Sequence, residues 1–210
     1  MARTGGEKRR HHLVEEAIRA FGRDGYSGAS LDAIASACGI RKQTLLYYFP
    51  TKEALLEACL AAAGMRLAEV LNEGLAGKET YWERTEAVIH TVFDLAEEWP
   101  EFPMFIREAG RLGPDAFERF AGVLDPLRKR AIRFLEAGMG EGEIRRQDPA
   151  FLLFTLYTAV VGSLTEASVL RAVVGESKSR ASLHRRERDV IAFVRNALRT
   201  DGASAADAGR

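Results

Sequence analysis

The chain has 210 residues, 47% of them hydrophobic, which suffices for one ordinary domain plus a small appendage, with a buried core. Basic and acidic residues balance at 30 each, and the two cysteines, Cys38 and Cys59, have no Cys/His spacing around them, which argues against a disulfide framework or a zinc site. The first twelve residues carry no apolar leader and the longest uncharged run, 149–165, is short of a membrane span, so a cytoplasmic protein is expected.

Residues 1–8 are polar and basic and read as a disordered arm. From Arg9 the pattern turns helical, with Leu13, Val14, Ala17, Ile18 and Phe21 on one face until Gly25-Tyr26 stops it. Ser30 suits the N-cap of a short helix containing Leu31, Ile34 and Ala35, and Cys38-Gly39 breaks that helix. A second short helix runs from Arg41 to about Tyr48, Pro50 ends it, and Thr51 opens a long helix over 51–75. Residues 74–78 form a loop before a helix over 79–98 with a broad apolar stripe. Trp99-Pro100 interrupts it, a short helix runs to Arg111, and Gly113-Pro114 starts another that ends at Gly138–Gly142. Asp148-Pro149, an N-cap followed by proline at the first helical position, opens an apolar helix over 149–174. A polar stretch, 175–182, precedes a last helix to Arg199. No stretch alternates with period two between hairpin turns. The expected fold class is therefore all-α, with about nine helices. Its organisation is an arm (1–8), a helix-turn-helix head (9–50), a larger helical domain (51–199) and a disordered tail (200–210).

Charge supports a separate role for the head. Residues 1–52 hold nine Lys/Arg against five Asp/Glu, leaving 21 against 25 in the remainder, the asymmetry of a nucleic-acid-binding segment. Segment 30–48 has the helix-turn-helix layout. Small Ala33, Ala35 and Ala37 allow the two helices to approach, and Leu31, Ile34, Ile40 and Leu45 supply a mini-core. That leaves Arg41, Lys42, Gln43, Thr44, Tyr47 and Tyr48 unneeded for packing, and donors on a protruding helix suit the edges of bases in a major groove. Arg9, Arg10, His11 and His12 fit either a phosphate-touching arm or a solvated tail.

The stretch from Gly39 to Leu55, GIRKQTLLYYFPTKEAL, resembles the signature of the tetracycline-repressor (TetR) family, G-V-S-K-x-T-L-Y-Y-H-F-x-S-K-E-x-L. The resemblance extends back over Phe21, Gly25-Tyr26 and Ser30–Ala35, about residues 9–58 in all. It implies base reading by Lys42, Gln43 and Thr44, beside which Arg41 offers a long basic arm and Leu46 either a thymine-methyl contact or packing, and phosphate contacts by Ser30, Tyr47, Tyr48 and Lys52, assisted by amides at the start of the fourth helix. Three positions depart from the pattern: Arg41 stands for serine and removes a cap, Leu46 for tyrosine, and Tyr48 for histidine.

The same resemblance implies a ligand cavity among the fourth to eighth helices. Candidate lining residues are Thr91, Phe93, Leu95, Trp99, Phe102, Phe105, Phe120, Leu124, Phe154, Tyr157, Thr158 and Val161, with His90 as a further polar group. A helix apolar all round, 149–174, needs two partners. Its small strip Ala159, Ser163 and Ala167, with Val190, Ile191, Val194 and Leu198 of the last helix, is assigned to a homodimer seam. The expected function is a repressor released from a palindromic double-stranded DNA operator by a largely apolar small molecule, without cofactor, metal or membrane. Helix 51–75 is the expected lever. An activator of the same fold and a thiol redox sensor using Cys38 are the alternatives. The chain has no GxSxG, P-loop, GxGxxG or HExxH, and His11, His12, His90 and His184 have no metal spacing, so no enzyme is expected.

Overall fold

The computed structural model describes residues 5–112, 114–175 and 179–200, leaving out the side chains of 114–117, 119 and 120. These residues form ten helices and no strand: α1 Gly5–Gly28, α2 Leu31–Ala37, α3 Lys42–Tyr48, α4 Lys52–Gly74, α5 Tyr81–Glu98, α6 Glu101–Ala109, α7 Pro114–Glu141, α8 Pro149–Thr165, α9 Ala167–Val174 and α10 Arg180–Leu198. They divide into two compact units. The first takes Met1–Glu69 and Trp99–Leu124, the second Val70–Glu98 and Asp125–Arg210.

The first unit is built on α1, whose face of Leu13, Val14, Ala17, Ile18 and Phe21 is buried against α2, α4 and above all α6. Phe21 and Phe105 stack with ring centres 6.3 Å apart, and both are fully buried. Burying such a side chain stabilises by about 1.5–3 kcal/mol each, so the α1–α6 seam dominates this unit. It is tight because residue 22 is glycine: a Cβ there would collide with the carbonyl oxygen of Glu101. Leu55, Leu56, Cys59 and Leu60 of α4 complete the core.

The second unit packs α10 against α5 and α8. Ile89, Phe93, Leu135, Met139, Ile144, Leu152, Val160, Val194 and Leu198 form its core. A polar clamp borders it. The nearly buried Glu187 holds Nδ1 of His90 at 2.6 Å, and Glu97 pairs with Arg180.

Two expectations are corrected. The arm does not extend to residue 8, because α1 starts at Gly5 and continues straight into the apolar face. Gly25 does interrupt α1, with φ +74°. The helix over 149–174 is two helices, bent by 84° at Glu166. The hydroxyls of Ser163 and Thr165 donate to the carbonyls of Val160 and Val161 just before the bend, a local competition with the helical ladder that bends helices. The split brings the described helices to ten, in keeping with the expected number of about nine. No single described helix is long and apolar enough to cross a membrane. Residues 1–4 of the arm and 201–210 of the tail lie outside the described residues.

Candidate nucleic-acid interface

Helices α2 and α3 are seven residues each, too short to stand alone, and are held by Ile34 and Leu45, which are 1% and 0% exposed. Leu31 and Ile40 are only half-buried at the edge of this mini-core, and of the three alanines only Ala35 is buried; Ala33 and Ala37 face outward. Gly39 at φ +66° makes the turn that a residue with a Cβ rarely makes. The Ser30 hydroxyl oxygen accepts from the Ala33 amide at 3.0 Å and caps α2. Arg41 sits at the N-cap of α3 without a side-chain cap, as its departure from serine predicts. The Thr51 hydroxyl caps α4 by accepting from the Ala54 amide at 3.0 Å.

The packing leaves one face of α3 bare. Arg41, Lys42, Gln43 and Thr44 are all exposed, and Tyr47 is 83% exposed. Leu46 and Tyr48 are half-buried, with the Tyr48 ring edge-on to Tyr47 at 5.4 Å. Lys42 Nζ reaches back to Asp32 Oδ2 of α2 at 2.7 Å. Lys52 lies with its ammonium 4.5 Å from the centre of the Tyr26 ring. Tyr26 in turn donates its hydroxyl to Glu53 Oε1 at 2.9 Å and its backbone amide to Glu108 Oε1 of α6 at 2.9 Å. Desolvation, then the Glu53 carboxylate, pushes the Tyr26 phenol up to about 12. The Glu53 carboxylate falls below its usual range, first through its own backbone amide and then through Tyr26. The Thr51 hydroxyl thus already occupies the Ala54 amide, so fewer α4 amides remain for an anion than the resemblance implies.

The N-terminal half of α1 adds a basic wall. A cleft of about 330 Å³ is lined by Gly5, Lys8, Arg9, His12, Leu13, Cys38, Gly39 and Ile40. Arg10 lies over the Phe49 ring at 4.9 Å. These residues are placed by a regular helix, not by an unstructured tail. Burial, then the Glu16 carboxylate, pushes the Cys38 thiol up, away from the thiolate that oxidation requires. Among the described residues no group of three or more His, Cys, Asp or Glu is placed to hold a metal ion.

Residues 13–59 match the family model described as bacterial regulatory proteins, tetR family. That segment is a TetR-type head. The chain is 25% identical over 170 residues, 78% of this chain and 77% of the relative, to the HTH-type transcriptional regulator RutR of Escherichia coli strain K12. Its fold matches that of FadR from Bacillus subtilis in complex with stearoyl-CoA (TM-score 0.74, 17% identity, covering 90% of this chain and 98% of that one). It also matches AibR in complex with isovaleryl coenzyme A and operator DNA (TM-score 0.72, 20% identity, 88% and 97%). The TetR-type head thus coincides with the basic, exposed surface of α1–α4.

The remaining candidates distribute as follows. In the first unit, Phe102 and Phe105 are buried, Leu124 is half-buried, and Trp99 is half-buried with Arg19 over its ring at 5.1 Å. The Trp99 indole nitrogen is buried with no hydrogen-bond partner among the described residues. The Phe120 side chain lies outside the described residues. In the second unit, Phe93 and Leu95 are buried, Thr91 donates its hydroxyl to the Ala87 carbonyl, and Val161 is half-buried. Phe154, Tyr157 and Thr158 are exposed. His90 is engaged by Glu187. Of the seam candidates, Ala159, Ser163, Val190 and Ile191 are half-buried, while Val194 and Leu198 fill the unit's own core. Ala167 lies beyond the bend on α9, so it no longer shares a helical face with Ala159 and Ser163. The large exposed apolar side chains were missed as a group: Phe151 on α8, Val169, Val173 and Val174 on α9, and Phe193 on α10. A groove of about 280 Å³ among Ser163, Leu170, Val174, Val190 and Phe193 accompanies them, rimmed by Arg185, Arg186 and Asp189.

Proposed function

We propose that the chain is a TetR-family regulator, an operator-binding repressor that acts as a homodimer and releases DNA when it binds a largely apolar small molecule. The observation that carries the DNA half is the bare α3 face, where Arg41, Lys42, Gln43 and Thr44 are exposed while Ile34 and Leu45 hold the helix from beneath. Leu46 reads a thymine methyl. Ser30, Tyr47, Tyr48 and Lys52 hold phosphates, with the basic cleft of α1 as a further backbone contact. The repressor works in the cytoplasm, where the operator is.

Dimerisation is supported by the exposed apolar side chains of α8, α9 and α10, a patch that a monomer would leave wet. We place Ala159, Ser163, Val190, Ile191 and Phe193 at this seam, and two-fold symmetry then matches a palindrome. For the effector, the buried Trp99 indole N–H, unpartnered among the described residues, is a donor that a ligand carbonyl would satisfy. Aromatic neighbours such as Phe102, 5.4 Å from it, supply apolar walls. Acyl thioesters combine a carbonyl with an apolar tail, and two structural neighbours carry acyl-CoA. The raised Cys38 thiol weighs against a redox trigger.

The test is selection of bound sequences from a random duplex pool, followed by release assays with acyl-CoA thioesters of two to eighteen carbons. A palindrome should be enriched, and one chain-length class should raise the melting temperature and free the DNA. Failure to enrich any sequence overturns the DNA half; a panel with no shift and no release overturns the acyl-thioester assignment.

A further inference from the structure

We infer that Asp32 is a specificity-determining residue of the DNA-reading surface: it aims Lys42 and subtracts one charge where phosphates approach. This rests on the operator-binding reading above. Asp32 stands in the first turn of α2, and its Oδ2 lies 2.7 Å from Lys42 Nζ in the first turn of α3. The pair bridges the two helices across the Cys38–Arg41 turn. Both side chains remain open to solvent, 67% for Asp32 and 43% for Lys42. An ion pair this exposed adds little to stability, so its consequence lies in what Lys42 can do.

A lysine ammonium has three N–H donors. One is held by Asp32, leaving two free, the number that the O6 and N7 acceptors of a guanine take up in the major groove. Lysine is otherwise a flexible four-carbon stem that loses rotamer freedom when it is fixed on a base. Arg41 provides no cap at this helix start, so the Asp32 carboxylate is the group that holds the first-turn side chain. The carboxylate also cancels Lys42 as a free cation. Any duplex that offers no acceptor at that position therefore meets a neutral pair instead of a positive charge, which weakens sequence-independent binding.

The experiment titrates wild type, Asp32→Asn, Lys42→Ala and the double variant against the selected operator and a scrambled duplex across a salt series. Asp32→Asn should bind the scrambled duplex about 3–10-fold tighter, with a salt slope steeper by about one phosphate contact. Operator binding should stay within about 2-fold, so the operator-to-scrambled ratio falls by about 2–10-fold, with discrimination lost at one base pair per half-site. In the Lys42→Ala background, Asp32→Asn should leave the ratio unchanged. An unchanged or higher ratio, weaker binding to the scrambled duplex, or the same fall without Lys42 overturns the inference. If wild type itself selects no sequence, the operator-binding reading has failed, a result distinct from any of these.

Discussion

Tyr26 holds a lysine on its ring, a carboxylate on its hydroxyl and another on its amide. Its phenol is pushed up to about 12 from an ordinary 10, so the neutral form is favoured in the fold. The stability this contributes is complete below about pH 10 and is lost as pH rises from 10 through 12. Tyr26→Phe should therefore show a shallower fall in denaturation midpoint between pH 9.5 and 11.5 than wild type; parallel curves would refute the assignment. Lys52→Ala should weaken operator and scrambled duplex alike and lower the salt slope by about one. Among single residues, the caps were legible from sequence, because Ser30, Thr51 and Asp148 act on amides three residues ahead. Glu108 was not, since its partner amide lies 82 residues away and only the folded α1–α6 seam brings them together.

Helices were legible in proportion to how local their signals are. The bounds of α2 and α3 follow from Ser30, Gly39 and Pro50, residues that end or begin a helix by their own geometry. The break between α8 and α9 carries neither glycine nor proline at its centre, Glu166, so no breaker marked it. The α1–α6 approach gives a direct test of packing. Gly22→Ala places a methyl against the Glu101 carbonyl and should destabilise by about 1–3 kcal/mol, the cost of overpacking a tight seam. A helix-propensity argument alone expects stabilisation of up to about 1 kcal/mol instead. Chemical denaturation of that variant separates the two, and a stabilised protein would show that the seam gives way.

For the molecule as a whole, the exposed apolar side chains of α8, α9 and α10 set the next expectation. Phe193→Glu should turn a dimer into a monomer in light scattering and reduce operator affinity at least 100-fold, because a lone head loses the second half-site. A wild-type monomer at micromolar concentration would rule the dimer out. The helix-turn-helix head was legible from residues 9–58 alone, and the all-α class from helical patterning along the rest of the chain. Which apolar residues stay uncovered was not, since hydropathy cannot distinguish Val194, fully buried, from its neighbour Phe193, 57% exposed.

Cys59 gives the head an internal clock. Its thiol is fully buried, donates to the Val14 carbonyl at 3.6 Å and is pushed far up by desolvation, whereas Cys38 is partly open. A thiol reagent should therefore modify the chain in two phases, first Cys38 at a rate set by chemistry, then Cys59 at a rate set by how often α1 and α4 part. In a Cys38→Ser protein the second phase alone reports the opening frequency of the head, without any added label. Operator DNA should slow that phase if it clamps the head shut.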